Sequence, residues 1–292
     1  MTPFVFYSPQ FSSLFAWRSD GNSAYNGGQF SLRRHAGGLE FDINYTYSKS
    51  TDLGSNAERI NEFEGVGFGS QIINSWIPNQ NRAVSDFDTT HAINANWVYE
   101  LPVGNGKQIG NGMGRIMNAF FGGWSISGLW RWSTGYPFQT FSPEWATNFQ
   151  LESPGVLIGK KPETGSFTVT QASGGPGPNV FKDPGITDPN NPNAAINQFR
   201  PAFPGEKGDR NILRGPGTFG IDAGLSKAWH TRESQTLKFT WEVFNVTNTP
   251  RFDVGNMSLI GNTGLSNVTA FGNFTSTLTN ARVMEFALRY SF

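Results

Sequence analysis

The sequence predicts an all-β fold, namely the wall of a transmembrane antiparallel β-barrel with about eight strands. Three observations lead to this fold class. The chain ends in a segment with one unbroken apolar face, several earlier segments repeat the same alternation, and no apolar run is long enough for a membrane-spanning helix. The 35 Gly and 17 Pro imply many turns, and a content of 14% aromatic residues is typical of proteins that meet a membrane interface.

The terminal segment, residues 282–292, shows the alternation most clearly. Successive side chains of a strand point to opposite faces, so one face here carries Met284, Phe286, Leu288, Tyr290 and Phe292. Glu285 and Arg289 point the other way. At a rise of about 3.3 Å per residue and a tilt of about 45°, such a strand covers about 25 Å, the height of the apolar band of an outer-membrane barrel.

Five further segments alternate strictly and predict strands at about residues 39–48, 93–101, 124–132, 219–226 and 237–243. A shorter strand is predicted from Phe30, and a weaker one at 11–18. Lys227 falls on an apolar face, and we expect it to extend its ammonium group to the membrane interface.

The connections between these segments alternate in length. The shorter ones are at 36–38, 102–122 and 230–234, and the longer ones at 49–90, 134–216 and 246–281. Outer-membrane barrels have short periplasmic turns and long extracellular loops, so the pattern agrees with that class. We expect residues 174–193, which are rich in Gly, Pro, Asn and Asp, to be a loop that supplies no core.

Composition excludes several kinds of function. The 22 basic and 22 acidic residues balance, which predicts no nucleic-acid partner, and the absence of cysteine excludes thiol chemistry. The first residues show no secretory signal, so we expect the chain to be a fragment of an exported protein.

Other motifs favour structural roles. The glycines of residues 103–114 lack the spacing of a phosphate loop and predict turns, and the alternating glycines at 65–69 predict a loop. His35, His91 and His230 are too far apart for a zinc site. Asp183, Asp188, Asn190 and Asn191 leave open a calcium site in a loop. Carboxylates such as Asp86 and Asp88 could pair as in a glycosidase, but the sequence does not bring them together, and we predict no enzyme and no cofactor.

The polar faces of the predicted strands would line a lumen. The candidate lumen-facing residues are Glu40, Asp42, Asn94, Asn96, Glu100, Asp222, Glu242 and Arg289. Aromatic residues of the long loops could stack on a ligand at the outer rim: Tyr136, Phe138, Phe141, Trp145 and Phe149.

Several stretches resemble the C-terminal barrel region of TonB-dependent receptors, in particular the Oar-like transporters. The most specific are RNILRGPG at residues 210–217, EVFNVTNTPRF at 242–252 and the aromatic terminal strand, and the resemblance covers nearly all of the chain. It implies that residues 1–292 are the last eight or so strands of a barrel of about 22 strands, and that a signal peptide, a regulatory-like domain and a plug are missing.

The resemblance also implies function and partners. Phe286, Leu288, Tyr290 and Phe292 match the signal read by the barrel-assembly machinery. The expected location is the outer membrane of a Gram-negative bacterium, with lipid around the wall and TonB reached through the missing plug. The expected function is import of a bulky nutrient such as a siderophore, glycan or peptide. The alternatives are a secreted carbohydrate-binding β-module, whose two sheets would pack their apolar faces together, and an outer-membrane adhesin.

Overall fold

A computed structural model describes residue 19, residues 21–55, 76–145, 152–171, 175–183, 190–203, 206–232, 235–252, residue 254 and residues 270–292. The predicted strand at 11–18 lies outside these residues, as do the glycines at 65–69. Among the helices described, none is long and apolar enough to cross a membrane.

In the part of the chain that the structure describes, seven long strands form one antiparallel sheet, which we call the wall. In chain order they are β1 (Ala24–Ala36), β2 (Leu39–Asp52), β4 (His91–Glu100), β5 (Trp124–Ser133), β14 (Thr218–Arg232), β15 (Gln235–Phe244) and β16 (Val283–Ser291). The strands lie side by side in that same order, and the short strand β3 (Ala83–Val84) pairs with the end of β2. The other predicted strands and the predicted antiparallel wall are therefore confirmed, and the strand at 11–18 stays a prediction.

The remaining elements lie in the connections. Short strands are β6 (Pro137–Phe138), β7 (Phe141–Trp145), β8 (Glu152–Pro154), β9 (Val156–Leu157), β10 (Thr164–Thr170), β11 (Pro176–Phe181), β12 (Phe199–Arg200) and β13 (Leu213–Arg214). The helices among the described residues are α1 (Arg115–Phe121) and two 3₁₀ turns, Pro78–Asn81 and Ala195–Gln198.

Strand register aligns the two faces of the wall. One row joins residues of β2, β4, β5, β14, β15 and β16, and all its members are apolar: Leu39, Tyr99, Ile126, Leu225, Trp241 and Phe286. The next row on the opposite face contains Ser125, Ser226 and Thr240. Since a slip of one residue would invert every side chain, this register gives the wall one apolar face and one polar face.

The apolar face of the wall is not the inside of a sandwich. Phe30, Leu32, Phe286 and Leu288 are all more than half exposed. The other sheets in the described part of the chain are two-stranded and lie in the connections. The wall therefore turns its apolar side chains outward, which is the arrangement of a barrel in lipid.

The three long connections meet at one end of the wall. We call their described residues, within 53–90, 134–217 and 245–282, the loop layer. Its core contains residues of the second and third connections, namely Phe138, Val180, Phe181, Ala194, Ala195, Ile196, Phe199, Leu213, Val254, Phe271 and Phe274. The expectation that residues 174–193 supply no core is wrong, because Val180 and Phe181 are fully buried in it.

The opposite end of the wall has the shorter connections. Residues 101–114 form turns in which Gly104, Gly106, Gly110 and Gly112 have positive φ, as turn chemistry predicts. Lys107 pairs with Glu100 at 2.9 Å. Helix α1 follows these turns and was not predicted, although Ile116, Met117, Phe120 and Phe121 have the i, i+1, i+4, i+5 spacing of an amphipathic helix.

Candidate functional site

Two arginines of the RNILRGPG segment, Arg210 and Arg214, form the ion pairs that join the loop layer to the wall. Arg210 donates to Asp52 Oδ1 at 2.9 Å and to Asp86 Oδ1 at 3.0 Å, and its side chain is only 9% exposed. It also donates to Ser55 Oγ at 3.0 Å. One guanidinium group thus joins the end of β2, the first long connection and the second.

The second arginine holds the next carboxylate. Arg214 donates to Asp88 Oδ2 and, at 2.9 Å, to the Asp88 carbonyl oxygen. The other carboxylate oxygen of Asp88 accepts the backbone N–H of Ser50 at 2.5 Å. Buried carboxylates are stable as anions only when they are paired and hydrogen-bonded in this way.

Asn211 completes the network from a left-handed backbone conformation, with φ of 54°. Its side-chain amide donates to Asp86 Oδ1 at 2.5 Å and to the Val84 carbonyl at 2.7 Å. Asn tolerates this conformation better than most residues. The network therefore sets two guanidinium groups and an amide against the three carboxylates of Asp52, Asp86 and Asp88, and Asp86 and Asp88 serve as structural anions.

The loop layer covers the end of the polar face. Ser48, Ser50 and Asp52 lie on that face of β2, and all three are buried, whereas Asp42 and Asn44 lower on the same face are half-buried. The Ser48 hydroxyl donates to the Thr89 carbonyl, and the Ser50 and Ser85 hydroxyls lie 2.8 Å apart. The long connections therefore fold over the polar side of the wall.

Asn179 organises the centre of the loop core. It is fully buried, and its amide donates to the Phe271 carbonyl at 2.7 Å while its oxygen accepts the Phe181 N–H at 2.7 Å. The Phe181 and Phe271 rings stack at 4.9 Å between centroids. A second stack, between Phe252 and Phe274, lies at 4.7 Å. The buried Asn179 amide has hydrogen-bond partners and the aromatic rings stack closely. The core of the loop layer is therefore packed like the core of a water-soluble domain.

The EVFNVTNTPRF segment forms the rim where β15 ends. Asn245, with φ of 53°, donates its backbone N–H to Asp222 Oδ1 at 2.8 Å. Its side-chain amide donates to the Asn280 carbonyl at 3.1 Å, close to the start of β16. Asp222, one of the candidate lumen-facing residues, also pairs with Arg131 at 2.7 Å. Its carboxylate therefore binds both the turn after β15 and the polar face of β5.

A family model described as an outer membrane beta barrel domain matches residues 2–285. The chain belongs to this family. No curated protein and no solved structure matches it. The outer-membrane location is thereby confirmed, and the secreted carbohydrate-binding module is not favoured.

In this outer-membrane β-barrel protein, all the candidate lumen-facing residues lie on the polar face of the wall. Three of them have ionic partners: Asp42 with Arg33 at 2.8 Å, Glu100 with Lys107 and Asp222 with Arg131. A fourth, Glu40, lies 3.0 Å from His35 Nδ1. Asn94 and Asn96 face Asn44 and Asp42 in register, while Glu242 faces Glu285 and Arg289 faces Lys238. Whether this face lines a lumen stays a prediction.

The residues of the predicted assembly signal lie along the apolar face. Phe286, Leu288 and Tyr290 face Trp241, Phe239 and Leu237 across the β15–β16 pair, and the Phe286 and Trp241 rings stack at 5.8 Å. Phe292 follows the end of β16 and is exposed. Their role in barrel assembly stays a prediction.

The predicted ligand-stacking aromatics do not act as a group. Phe138 and Phe141 are buried, so the expectation that they contact a ligand at the rim is wrong. Tyr136 is 40% exposed and remains a candidate. The side chain of Trp145 and all of Phe149 lie outside the described residues. Sequence alternation alone does not distinguish a core aromatic from a rim aromatic.

The described residues contain no cluster of acidic or histidine side chains that could hold a metal ion. His91 bonds to the Tyr45 hydroxyl at 2.8 Å and His230 to the Thr236 hydroxyl at 3.0 Å. Asp188 lies outside the described residues, and the Asp183 carbonyl accepts the Ala195 N–H at 2.5 Å.

Proposed function

We propose that this outer-membrane barrel protein is the C-terminal part of a TonB-dependent receptor of the Oar-like kind, which imports a bulky nutrient such as a siderophore, glycan or peptide. In this proposal the wall separates lipid from a hydrated lumen, and the loop layer contacts the nutrient on the outside. The protein itself catalyses no reaction and holds no cofactor.

The packed loop layer over the polar face is the observation that carries the proposal. Long connections share a core around Phe181 and Phe271, and Arg210 and Arg214 clamp them to the wall. A rigid outer surface of this kind costs little ordering entropy when a ligand binds. It also stands where a ligand would enter, because long loops of outer-membrane barrels are extracellular.

The edges of the wall support a larger barrel. Among the described strands, β1 and β16 are the end strands of the sheet, with 13 and 9 residues, and every residue in both is exposed. Long exposed edges invite further strand pairing, and barrels in lipid must satisfy all backbone groups. We infer that both edges pair with other strands of a barrel of about 22 strands, as in the family that the sequence resembles.

The charges of the polar face support a hydrated lumen. Glu242 lies opposite Glu285, and Lys238 lies opposite Arg289. Like charges directly opposite each other destabilise a sheet unless water screens them. The absence of catalysis is supported by the carboxylates of Asp86 and Asp88, which accept hydrogen bonds from Arg210, Asn211, Arg214 and Ser50.

The proposed partners follow from these surfaces. Outer-membrane lipid would cover the apolar face, the barrel-assembly machinery would read Phe286, Leu288, Tyr290 and Phe292, and TonB would act through a plug outside this sequence. The nutrient would contact the loop layer. No nucleic acid is expected, because the net charge is zero.

The test is a growth experiment in the source bacterium. We expect deletion of the gene to abolish growth on one member of a panel of ferric siderophores, peptides and glycans, and deletion of TonB to cause the same loss. Small nutrients that pass through porins are the control and should support normal growth. Growth unchanged on the whole panel, or a defect that does not depend on TonB, would overturn the proposal.

A further inference from the structure

Helix α1 (Arg115–Phe121) is held against the apolar face of the wall by side chains of two strands. The Trp229 indole donates to the Ala119 carbonyl at 2.7 Å, and the Trp124 indole donates to the Phe120 carbonyl at 2.8 Å. The last carbonyls of a helix have no partner within the helix, so these donors satisfy groups that would otherwise need water.

Lys227 supplies the third donor. Its ammonium group donates to the carbonyls of Gly122 and Asn118 and lies 5.4 and 5.3 Å from the ring centroids of Trp124 and Trp229. The residue is buried and its ammonium group ends at these helix carbonyls, and the expectation that it extends to the membrane interface stays a prediction. A cation is favourable at the C-terminal end of a helix, which explains a lysine on an apolar face.

These three donors determine on which side of the wall the helix lies. Trp124 faces Lys227 in register, Lys227 faces Phe239, and Phe239 faces Leu288, so all four belong to one row of the apolar face. Helix α1 therefore lies on the lipid-facing side, at the end of the wall with the shorter connections. That end is periplasmic in outer-membrane barrels.

The outer surface of α1 is apolar and uncovered. Ile116 is 74% exposed, Phe120 68%, Phe121 56% and Met117 52%. This surface continues the apolar face of the wall, where Leu288 in the same row is 67% exposed. A helix with a strong apolar surface and a position beside a membrane wall suits the boundary between headgroups and acyl chains.

We propose that α1 is an interfacial helix that lies in the periplasmic leaflet of the outer membrane and binds phospholipid through Ile116, Met117, Phe120 and Phe121. Trp124, Lys227 and Trp229 hold it there and thereby set the depth of the wall in the bilayer. The proposal goes beyond nutrient import and does not depend on it.

Site-directed spin labelling tests the proposal, because the chain has no cysteine and each introduced label is unique. Met117→Cys and Phe120→Cys place labels on the helix. Asn105→Cys labels the adjoining turn, and Phe203→Cys labels an exposed apolar position of the loop layer. The full chain is reconstituted in vesicles of phosphatidylethanolamine and phosphatidylglycerol, and heat-modifiable mobility on gels confirms that each labelled chain is folded.

The readout is the collision rate of each label with oxygen, which concentrates in lipid, relative to a water-soluble nickel chelate. We expect this ratio to be several-fold higher at positions 117 and 120 than at 105 and 203. Ratios at 117 and 120 that equal those of the two controls would overturn the proposal and would mean that the helix surface faces the periplasm, free to meet a soluble protein.

Discussion

In the wall, Phe286 and Leu288 are about two-thirds exposed on the apolar face, whereas in the loop layer Phe181 and Phe271 are fully buried. Side chains of the same type thus face lipid in the wall and are buried inside the protein in the loop layer. The wall needs lipid to remove its apolar face from water, while the loop layer buries its own apolar side chains.

Polar groups show the same contrast. On the wall, the Arg33 side chain that pairs with Asp42 is 73% exposed, and ion pairs that are open to water contribute little to stability. In the loop layer, Arg210 and its carboxylates are almost fully buried, and loss of one partner leaves a charge without compensation. The wall and the loop layer should therefore respond separately to mutation, and four experiments can test this.

The largest effect is expected at Arg210. Arg210→Ala leaves Asp52 and Asp86 without their cation, and removal of one partner of a buried pair typically costs about 3–5 kcal/mol. We expect hydrogen exchange in the loop layer to rise, while the wall keeps its heat-modifiable mobility in detergent.

Lys182→Ala is the matched control, because Lys182 forms an exposed pair with Glu163 in the same layer. Its cost should stay within about 1 kcal/mol. Equal exchange in the two variants would contradict the role given to the buried network.

Next in size is a charge on the apolar face of the wall. Leu225 lies at the middle of β14, between Ile126 and Trp241 in register. On the lipid face an arginine costs about 2–4 kcal/mol at the bilayer midplane and about 0–1 kcal/mol near an interface. Leu225 lies two residues from Lys227, so Leu225→Arg should lower the free energy of unfolding in vesicles by an amount between these limits.

Ser226→Arg places the same side chain one residue along the strand, on the polar face. Urea titrations in vesicles of the same composition compare the two variants, and Ser226→Arg should be clearly the less harmful. If it proved as harmful as Leu225→Arg, the assignment of the two faces would be wrong.

A smaller effect is expected at Gly272 in the loop core. Its φ is 77°, and a Cβ there would meet Asn179 Oδ1 at 2.5 Å and Phe181 Cδ2 at 2.6 Å. Overpacking of a close-packed core costs about 1–3 kcal/mol, which Gly272→Ala should show as faster hydrogen exchange in residues 175–183.

Gly106→Ala provides the reference, since Gly106 has φ of 76° and no atom within 4 Å of an added Cβ. It imposes the same backbone conformation without the contact. The cost of Gly272→Ala should exceed that of Gly106→Ala, measured by thermal unfolding in detergent, and equal costs would rule out the packing argument.

The smallest effect is a pH dependence in the loop layer. The Arg200 guanidinium donates to both oxygens of Glu206 at 2.6 and 2.8 Å, and the Phe203 N–H donates at 2.9 Å. These bonds lower the pKa of the Glu206 carboxyl from 4.5 to about 2. A lowered pKa gives stability that is present above pH 4.5 and is lost as the pH falls towards 2.

Carboxyl NMR of glutamate-labelled protein, with Glu206→Gln for assignment, measures this pKa directly. Arg200→Gln should return the pKa of Glu206 towards 4.5. A pKa that does not change with Arg200→Gln would show that the pair is not formed in solution.

The strands and their faces were predictable from the sequence because the signal is local. Alternation in residues 39–48 or 282–292 needs no knowledge of the rest of the chain, since each side chain's face follows from its position in the strand. The lengths of the connections were equally visible. The faces of the lumen candidates, from Glu40 to Arg289, followed from the same period.

Tertiary structure alone decided the core of the loop layer, the buried network and the position of α1. Asn179 meets Phe271 across 92 residues, and Arg210 meets Asp52 across 158. No local period encodes such contacts. The sequence therefore did not show that Val180 and Phe181 are buried in a core, because the residues around them are rich in Gly and Pro. The sequence by itself determined which side chains share a face of the wall, and only the folded chain determined which loop residues share a core.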